Sequence, residues 1–208
     1  MALMDRRCFL LLGLCLLAAG AFADTLYGTQ APKDMAFVRF FRATDGGGAL
    51  EVGGKRFDPP QGEVTPYRPV PPDVYLLRAG GQEAELIPRT RHYYTVALTP
   101  QGMLIFEDVE HTDPVRAQLA LYNLLPRERA ELKTADGRTA VIAPVAPGQA
   151  GRVNVNAVPV QLGVFGAAGP LGLLGDPALS RGASYSVFVF AGSTAPQVLC
   201  AKAELAEK

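Results

Sequence analysis

Hydrolysis or acyl transfer needs a nucleophile, a base to activate it and donors for the negative charge that develops. The bases this chain offers are its two histidines, His92 and His111, and the hydroxyl nucleophiles are Ser180, Ser184, Ser186 and Ser193, all in the last quarter of the sequence. None of the serines sits in a Gly-x-Ser-x-Gly elbow. There is also no Gly-Asp-Ser block with a downstream Asp-x-x-His pair, the pattern of an SGNH-type esterase. His92 opens an alternating apolar run and reads as a strand-edge residue rather than a general base. No catalytic set emerges, and the chain is expected not to be an enzyme.

Glu107, Asp108, Glu110, His111 and Asp113 bring oxygen ligands together, as hard cations require, but their spacing matches no EF-hand. Zinc would want more nitrogen or sulfur. The stretch reads as a solvated connector, with no metal and no cofactor expected. Gly46-Gly47-Gly48 lacks a following Lys-Ser/Thr and a helix, so it is a loop and not a phosphate cradle.

Binding is the other chemistry to consider. Tyr67, Tyr75, Tyr93 and Tyr122 are candidates for a sugar platform, against which the complete absence of Trp counts. The same tyrosines also fit core positions with a hydroxyl at the rim. Arg89 and Arg91 beside His92 and Tyr93 make a polar-aromatic cluster that suits a protein partner as well as a sugar. The 20 basic and 20 acidic side chains balance. That balance argues against a nucleic-acid partner or an anionic membrane surface.

These residues must be positioned by strands. In Arg91-His92-Tyr93-Tyr94-Thr95-Val96-Ala97-Leu98, aromatic and β-branched residues alternate with period two, as in a half-buried strand. A turn at Thr99-Pro100-Gln101-Gly102 and a second apolar run make it a β-hairpin. A similar hairpin recurs near the end, with Tyr185-Ser186-Val187-Phe188-Val189-Phe190 leading into a turn around Gly192. Eight candidate strands precede the acidic connector, over residues 36–43, 49–52, 55–58, 63–68, 73–79, 82–87, 92–98 and 103–109. Eight follow it, over residues 117–123, 130–134, 138–143, 151–155, 158–165, 171–174, 184–190 and 197–203. Gly53-Gly54 and Gly80-Gly81 fall where tight hairpin turns need positive φ. Asp136-Gly137 and Gly169-Pro170 take the corresponding places in the second half. The predicted class is all-β, with two tandem small β-sandwich domains forming an internal repeat. The expected division is residues 1–23, a signal; 24–35, an extended arm; 36–109, domain 1; 110–116, a linker; and 117–208, domain 2.

The signal follows from Arg6-Arg7, an apolar stretch from Phe9, and Ala21-Phe22-Ala23 as a small-x-small cleavage site. Arg6-Arg7-Cys8-Phe9-Leu10 also resembles a twin-arginine core, but without the usual preceding Ser or Thr and following Lys. The apolar stretch is too short for a stable membrane insertion. Cleavage removes Cys8 and Cys15 and leaves Cys200, which reads as a small buried hydrophobe.

Several stretches, in consistent order along the chain, carry a family resemblance. Leu26-Tyr27-Gly28 with Ala31-Pro32-Lys33 and Phe37-Val38-Arg39, then His92-Tyr93-Tyr94-Thr95, then Leu132-Lys133-Thr134-Ala135-Asp136-Gly137-Arg138-Thr139, resemble the alginate O-acetylation protein AlgF family. The resemblance implies a periplasmic, non-catalytic adaptor required for O-acetylation of an exopolysaccharide, alginate or, in a related system, bacterial cellulose. The implied partners are SGNH-type acetyltransferase proteins (AlgJ-like and AlgX-like) and the membrane acyl-transfer protein (AlgI-like), with a polysaccharide contact open. Residues expected to bind a partner are Leu26, Tyr27, Gly28, Pro32, Arg39, Arg91, His92 and Tyr93. The acidic connector and residues 35–57 depart from the family pattern.

Overall fold

Strands whose neighbouring residues are all apolar need cover on both faces. Four segments of this chain are of that kind, and each becomes the centre of a sheet or its immediate neighbour. A computed structural model describes residues 32–206. The expected signal and the arm residues Leu26, Tyr27 and Gly28 lie outside the described residues.

The first half runs β1 (Ala36–Arg42), β2 (Leu50–Val52), β3 (Lys55–Phe57), β4 (Arg68–Val70), β5 (Tyr75–Ala79), β6 (Gln82–Leu86), β7 (Tyr93–Thr99) and β8 (Gly102–Asp108). The second runs β9 (Arg116–Asn123), β10 (Ala130–Thr134), β11 (Ala140–Val145), β12 (Ala150–Asn156), β13 (Leu162–Gly166), β14 (Gly169–Gly175), β15 (Ser184–Ala191) and β16 (Pro196–Lys202). The protein is all-β, two small β-sandwiches in tandem.

Each half has a four-stranded sheet of the same design, β4-β1-β7-β8 in the first and β12-β9-β15-β16 in the second. The central pair is parallel in both, with Phe37 opposite Tyr93 in one and Gln118 opposite Ser184 in the other. Both outer pairs are antiparallel, including the β7-β8 and β15-β16 hairpins. The match extends to single hydrogen bonds. Arg91 N donates to the Met35 carbonyl at 2.7 Å and Gly182 N to that of Arg116 at 2.9 Å. The Tyr94 hydroxyl accepts from Arg89 N at 3.1 Å, and that of Tyr185 from Ser180 N at 3.0 Å.

One face of each sheet covers its own core. In the first half Val38, Phe40 and Val96 meet Leu50, Phe57 and Leu77. In the second Leu119, Leu121 and Val187 meet Leu132, Leu162 and Val164. The opposite faces meet each other, where Phe41, Ala97 and Phe106 pack against Tyr122, Phe188 and Phe190. Phe41 and Phe188 stack with ring centroids 4.3 Å apart, and Tyr122 stacks on the other side of Phe188 at 4.7 Å. Such aromatic pairs add about 0.5–1.5 kcal/mol each beyond the area they bury. The chain end also crosses back, because Tyr67 N donates to the Glu204 carbonyl and Ala206 N to that of Tyr67, both at 2.8 Å.

Four sequence expectations need correction. The fourth strand is not at 63–68; Val64 makes only an isolated bridge to Phe41, and pairing resumes at Arg68–Val70. Pro69 is tolerated there because β4 is an edge strand. The reversal between β13 and β14 lies at Ala167-Ala168, and Gly169 already opposes Gly166. The run Tyr93–Thr99 is not half-buried, since every residue from Tyr94 to Thr99 is buried. Its period of two separates a face toward its own core from a face toward the other half. Glu107 and Asp108 belong to β8 and not to a solvated connector.

Candidate binding cleft and partner edge

At one end of the contact between the halves the two facing sheets carry polar side chains. Strand β1 places Arg39 there, opposite Thr95 on β7. Strand β8 places Asp108 opposite Tyr93, and β9 and β15 supply Tyr122 and Ser186. Arg39 is only 2 % exposed. A buried cation needs its donors satisfied. Arg39 Nε donates to Thr95 Oγ1 at 2.8 Å, and Nη2 donates to the Tyr122 hydroxyl at 3.0 Å and Ser186 Oγ at 2.8 Å.

The same hydroxyls then donate onward to Asp108. Thr95 reaches Oδ2 at 2.5 Å and Tyr122 reaches Oδ1 at 2.5 Å, while Tyr67 donates to Oδ2 at 2.7 Å. Guanidinium and carboxylate are thus joined through two hydroxyls that accept from one and donate to the other. The Arg39 guanidinium also lies 4.5 Å from the centroid of the Tyr67 ring, a cation–π distance. Burial by itself lowers the Arg39 pKa, but Tyr122, Tyr67 and Asp108 more than offset it, so the pKa is raised. Burial pushes the Tyr67 and Tyr122 phenols upward, with Asp108 reinforcing the shift. Both therefore stay protonated, as donation to a carboxylate requires.

Above this network opens a cleft of about 420 Å³. From the first half Tyr67, Tyr93 and Asp108 line it; from the second come Gln118, Ser184 and Ser186, with Arg152, Arg181 and Lys202 at the rim. His111 also borders it, its Nε2–H donating to the Arg116 carbonyl at 2.8 Å. A second hollow shares Tyr93 and Asp108 with the cleft and is walled by Arg91, His92, Glu107 and Glu110. There His92 Nδ1 lies 2.7 Å from Glu107, which also pairs with Arg89. Burial raises the Glu107 pKa, but the hydrogen bonds from His92 and Arg89 outweigh it and leave the carboxyl below its usual value.

The predicted partner residues separate in space. Arg91, His92 and Tyr93 come together at an accessible edge, and Tyr93 stacks on Phe37 at 4.8 Å. Pro32 is half-buried at the start of the described chain. Arg39 is different: it is buried, and its Nη2 donates across to Tyr122 and Ser186, so it ties the two sandwiches together and presents no surface. Arg91 adopts φ 65°, a left-handed conformation, where the second half has Gly182 at φ 70°. The sequence did not single out Asp108, Arg152, Arg181, Lys202 or Ser186 as neighbours. The available signal was a lone Arg inside the apolar run of β1, which has to find partners. Among the described residues no cluster of three metal-capable side chains occurs.

The fold and site thus define a duplicated β-sandwich whose halves are joined by a buried polar relay beneath a mixed-charge cleft. Comparison with known proteins makes this specific: the family model described as "Alginate O-acetyl transferase AlgF" matches residues 9–186, and the chain belongs to that family. Similar proteins include the alginate biosynthesis protein AlgF of Pseudomonas aeruginosa, 31% identical over 188 residues, 88% of this chain and 85% of the relative. That of Pseudomonas putida is 30% identical over 182 residues, 85% of this chain and 84% of the relative. The solved C-terminal domain of AlgF from P. aeruginosa is 29% identical, with a TM-score of 0.39, and the match covers 42% of this chain and 97% of that one.

Proposed function

We propose that this protein is an exported accessory component of alginate O-acetylation that works by contact with acetyltransferase proteins of the AlgJ-like and AlgX-like type. The observation that carries the reading is the family match over residues 9–186. The proposed location is the periplasm, reached through the cleaved N-terminal signal. Among the described residues no helix is long and apolar enough to cross a membrane.

For the contact surface we propose the Arg91–Tyr93 edge together with Leu26, Tyr27, Gly28 and Pro32. Support comes from Arg91, a bulky residue kept in the left-handed region, which costs about 1–2 kcal/mol and is found where function demands it. Its second-half counterpart uses glycine and escapes that cost. Deleting the gene and measuring polymer acetylation tests the role, and unchanged acetylation would overturn it. Capture of the acetyltransferase proteins by Tyr27→Ala and Arg91→Ala variants tests the surface, where wild-type capture by both would reject it.

A further inference from the structure

We propose that the open edge of β12 takes up an extended segment of a partner protein as an added strand, with apolar and acidic residues alternating along that segment. That the partner is an acetyltransferase protein rests on the functional reading above; the edge itself rests on geometry.

A sheet edge presents unpaired N–H and C=O groups, and proteins normally blunt it. Strand β4, which has the same place in the first half, is three residues long and carries Pro69. In the second half β11 carries Pro144 and shifts its register against β10, and β14 shifts against β13. Strand β12 has none of these devices. It pairs with β9 over seven consecutive residues, from Ala150 opposite Tyr122 to Asn156 opposite Arg116, without a shift and without a proline. Which groups it leaves free follows from the hydrogen bonds of β9. Asn123 N donates to the Gln149 carbonyl at 3.0 Å, on the β12 side, and Gln118 N to the Ala183 carbonyl at 2.9 Å, on the β15 side. Successive backbone groups of a strand point to opposite sides, so Gly151, Val153 and Val155 bond to β9. Arg152 and Asn154 turn their N–H and C=O groups to the open edge.

Beside that edge lies a hollow of about 400 Å³, between β12 and the β11 edge of the other sheet. Its floor is apolar: Val141, Ile142, Val145 and Val153 line it, and a side chain on Gly151 would collide with Ile142 and Val145. Val141, Val153 and Val155 pack against the second-half core but are only half-buried. On the other flank the sandwich is shut, since Val198 of β16 lies against the backbone of Gly172 of β14.

A strand added to β12 sends alternate side chains inward over this floor and the others outward beside Arg152 and Asn154. Arg152 is exposed, is the single charge lining the hollow, and forms no ion pair among the described residues. An acidic residue on the outward face of the segment complements it. A second copy of this chain fits less well. Paired through β12, it would offer only Gly151, Val153 and Val155 to the floor and would bring a second Arg152 to the same face.

The experiment joins residue-resolved amide exchange of the full exported chain with capture of purified AlgJ-like and AlgX-like proteins. In the isolated protein the Arg152 and Asn154 amides should exchange freely, and those of Gly151, Val153 and Val155 slowly. Protection of Arg152 and Asn154 without a partner overturns the proposal, because a second copy or the chain's own arm then fills the edge. Asn154→Pro removes an open-edge donor and keeps the bonds to β9, as proline is tolerated on an edge. It should weaken capture of at least one of the two proteins roughly tenfold, the worth of a lost hydrogen bond. Asn154→Ala keeps the donor and should lose far less, and equal losses in the two would assign the contact to the side chain and overturn strand addition. Arg152→Glu leaves the backbone intact and should weaken capture as well; full capture by this variant overturns the choice of an acidic segment. Arg138→Ala, on an exposed turn outside the hollow, should capture as wild type. Undiminished capture by Asn154→Pro overturns this proposal and leaves the accessory reading standing, whereas no capture by the wild-type chain overturns both.

Discussion

The two halves share a backbone and differ in what their facing sheets carry. Position for position, Arg39 in the first half stands where the second has Ala120, and Asp108 stands where the second has Ala203. In the other direction the small Ala97 stands where the second half has Phe188, both within the contact between the halves. The residues pointing into each half's own core keep their character, as in Val38 and Leu119, or Val96 and Val187. Duplication thus leaves a core under strict demands of apolar packing and frees the opposite face to specialise. At these positions the first half carries the charged pair Arg39 and Asp108, and the second carries the larger aromatic ring.

That comparison can be broken at Phe188 first. Phe188→Ala makes the second half like the first at this position and opens a cavity between Phe41 and Tyr122. We expect a loss of about 3–5 kcal/mol in denaturant unfolding, the range for a buried Phe truncated to Ala. A loss under 1 kcal/mol would mean that the halves do not depend on their contact.

Arg39→Met comes next, because it fits the apolar volume but removes the cation beneath Asp108. The expected loss is about 2–4 kcal/mol, less than for a fully enclosed ion pair, since Asp108 keeps its hydroxyl donors and borders the cleft. Guanidinium unfolding of the variant beside wild type measures it. The expected sign reverses if the cation contributes only specificity.

A sharper test of equivalence uses the paired tyrosines. Tyr94→Phe and Tyr185→Phe should each cost about 1 kcal/mol, the net worth of one hydrogen bond. Tyr185 should cost slightly more, because its hydroxyl also donates to the Ala178 carbonyl. Thermal unfolding of the two variants side by side gives the answer.

The smallest effect is the most informative about function. Arg91→Gly should stabilise the protein by up to about 1 kcal/mol by relieving the left-handed conformation, while Gly182→Ala should destabilise it by a similar amount. A stabilised Arg91→Gly protein that captures partners poorly would show that strain is retained for binding.

Much of this fold was legible. The alternating runs located every strand but the fourth, which was expected too early in the chain, and Gly53-Gly54 and Gly80-Gly81 mark true tight turns, each glycine with φ between 54° and 74°. The recurrence of Tyr94 as Tyr185 announced the repeat. The parallel pairing of β1 with β7 was not legible, because strand order depends on long-range contacts that leave no local period. Nor was the second buried face, since alternation between two apolar environments looks much like alternation between core and water. The site was harder still. Arg91, His92 and Tyr93 are adjacent in sequence and could be read together, whereas Arg39, Asp108, Tyr122 and Ser186 meet only after both sheets have formed.

The parallel central pair of each half also bears on how quickly the protein matures. Strand β1 cannot gain its main neighbour until six further strands have followed it, and Tyr67 waits for Glu204 and Ala206 at the opposite end of the chain. Contacts between residues so distant in sequence pay their loop-closure entropy before any stabilisation returns, and chains built on them fold slowly. A chain emerging from its N-terminus leaves β1 without its parallel neighbour until β7 has followed, and leaves Phe41 without its stacking partner until β15 has followed. Only when Glu204 and Ala206 pair with Tyr67 is the first half complete.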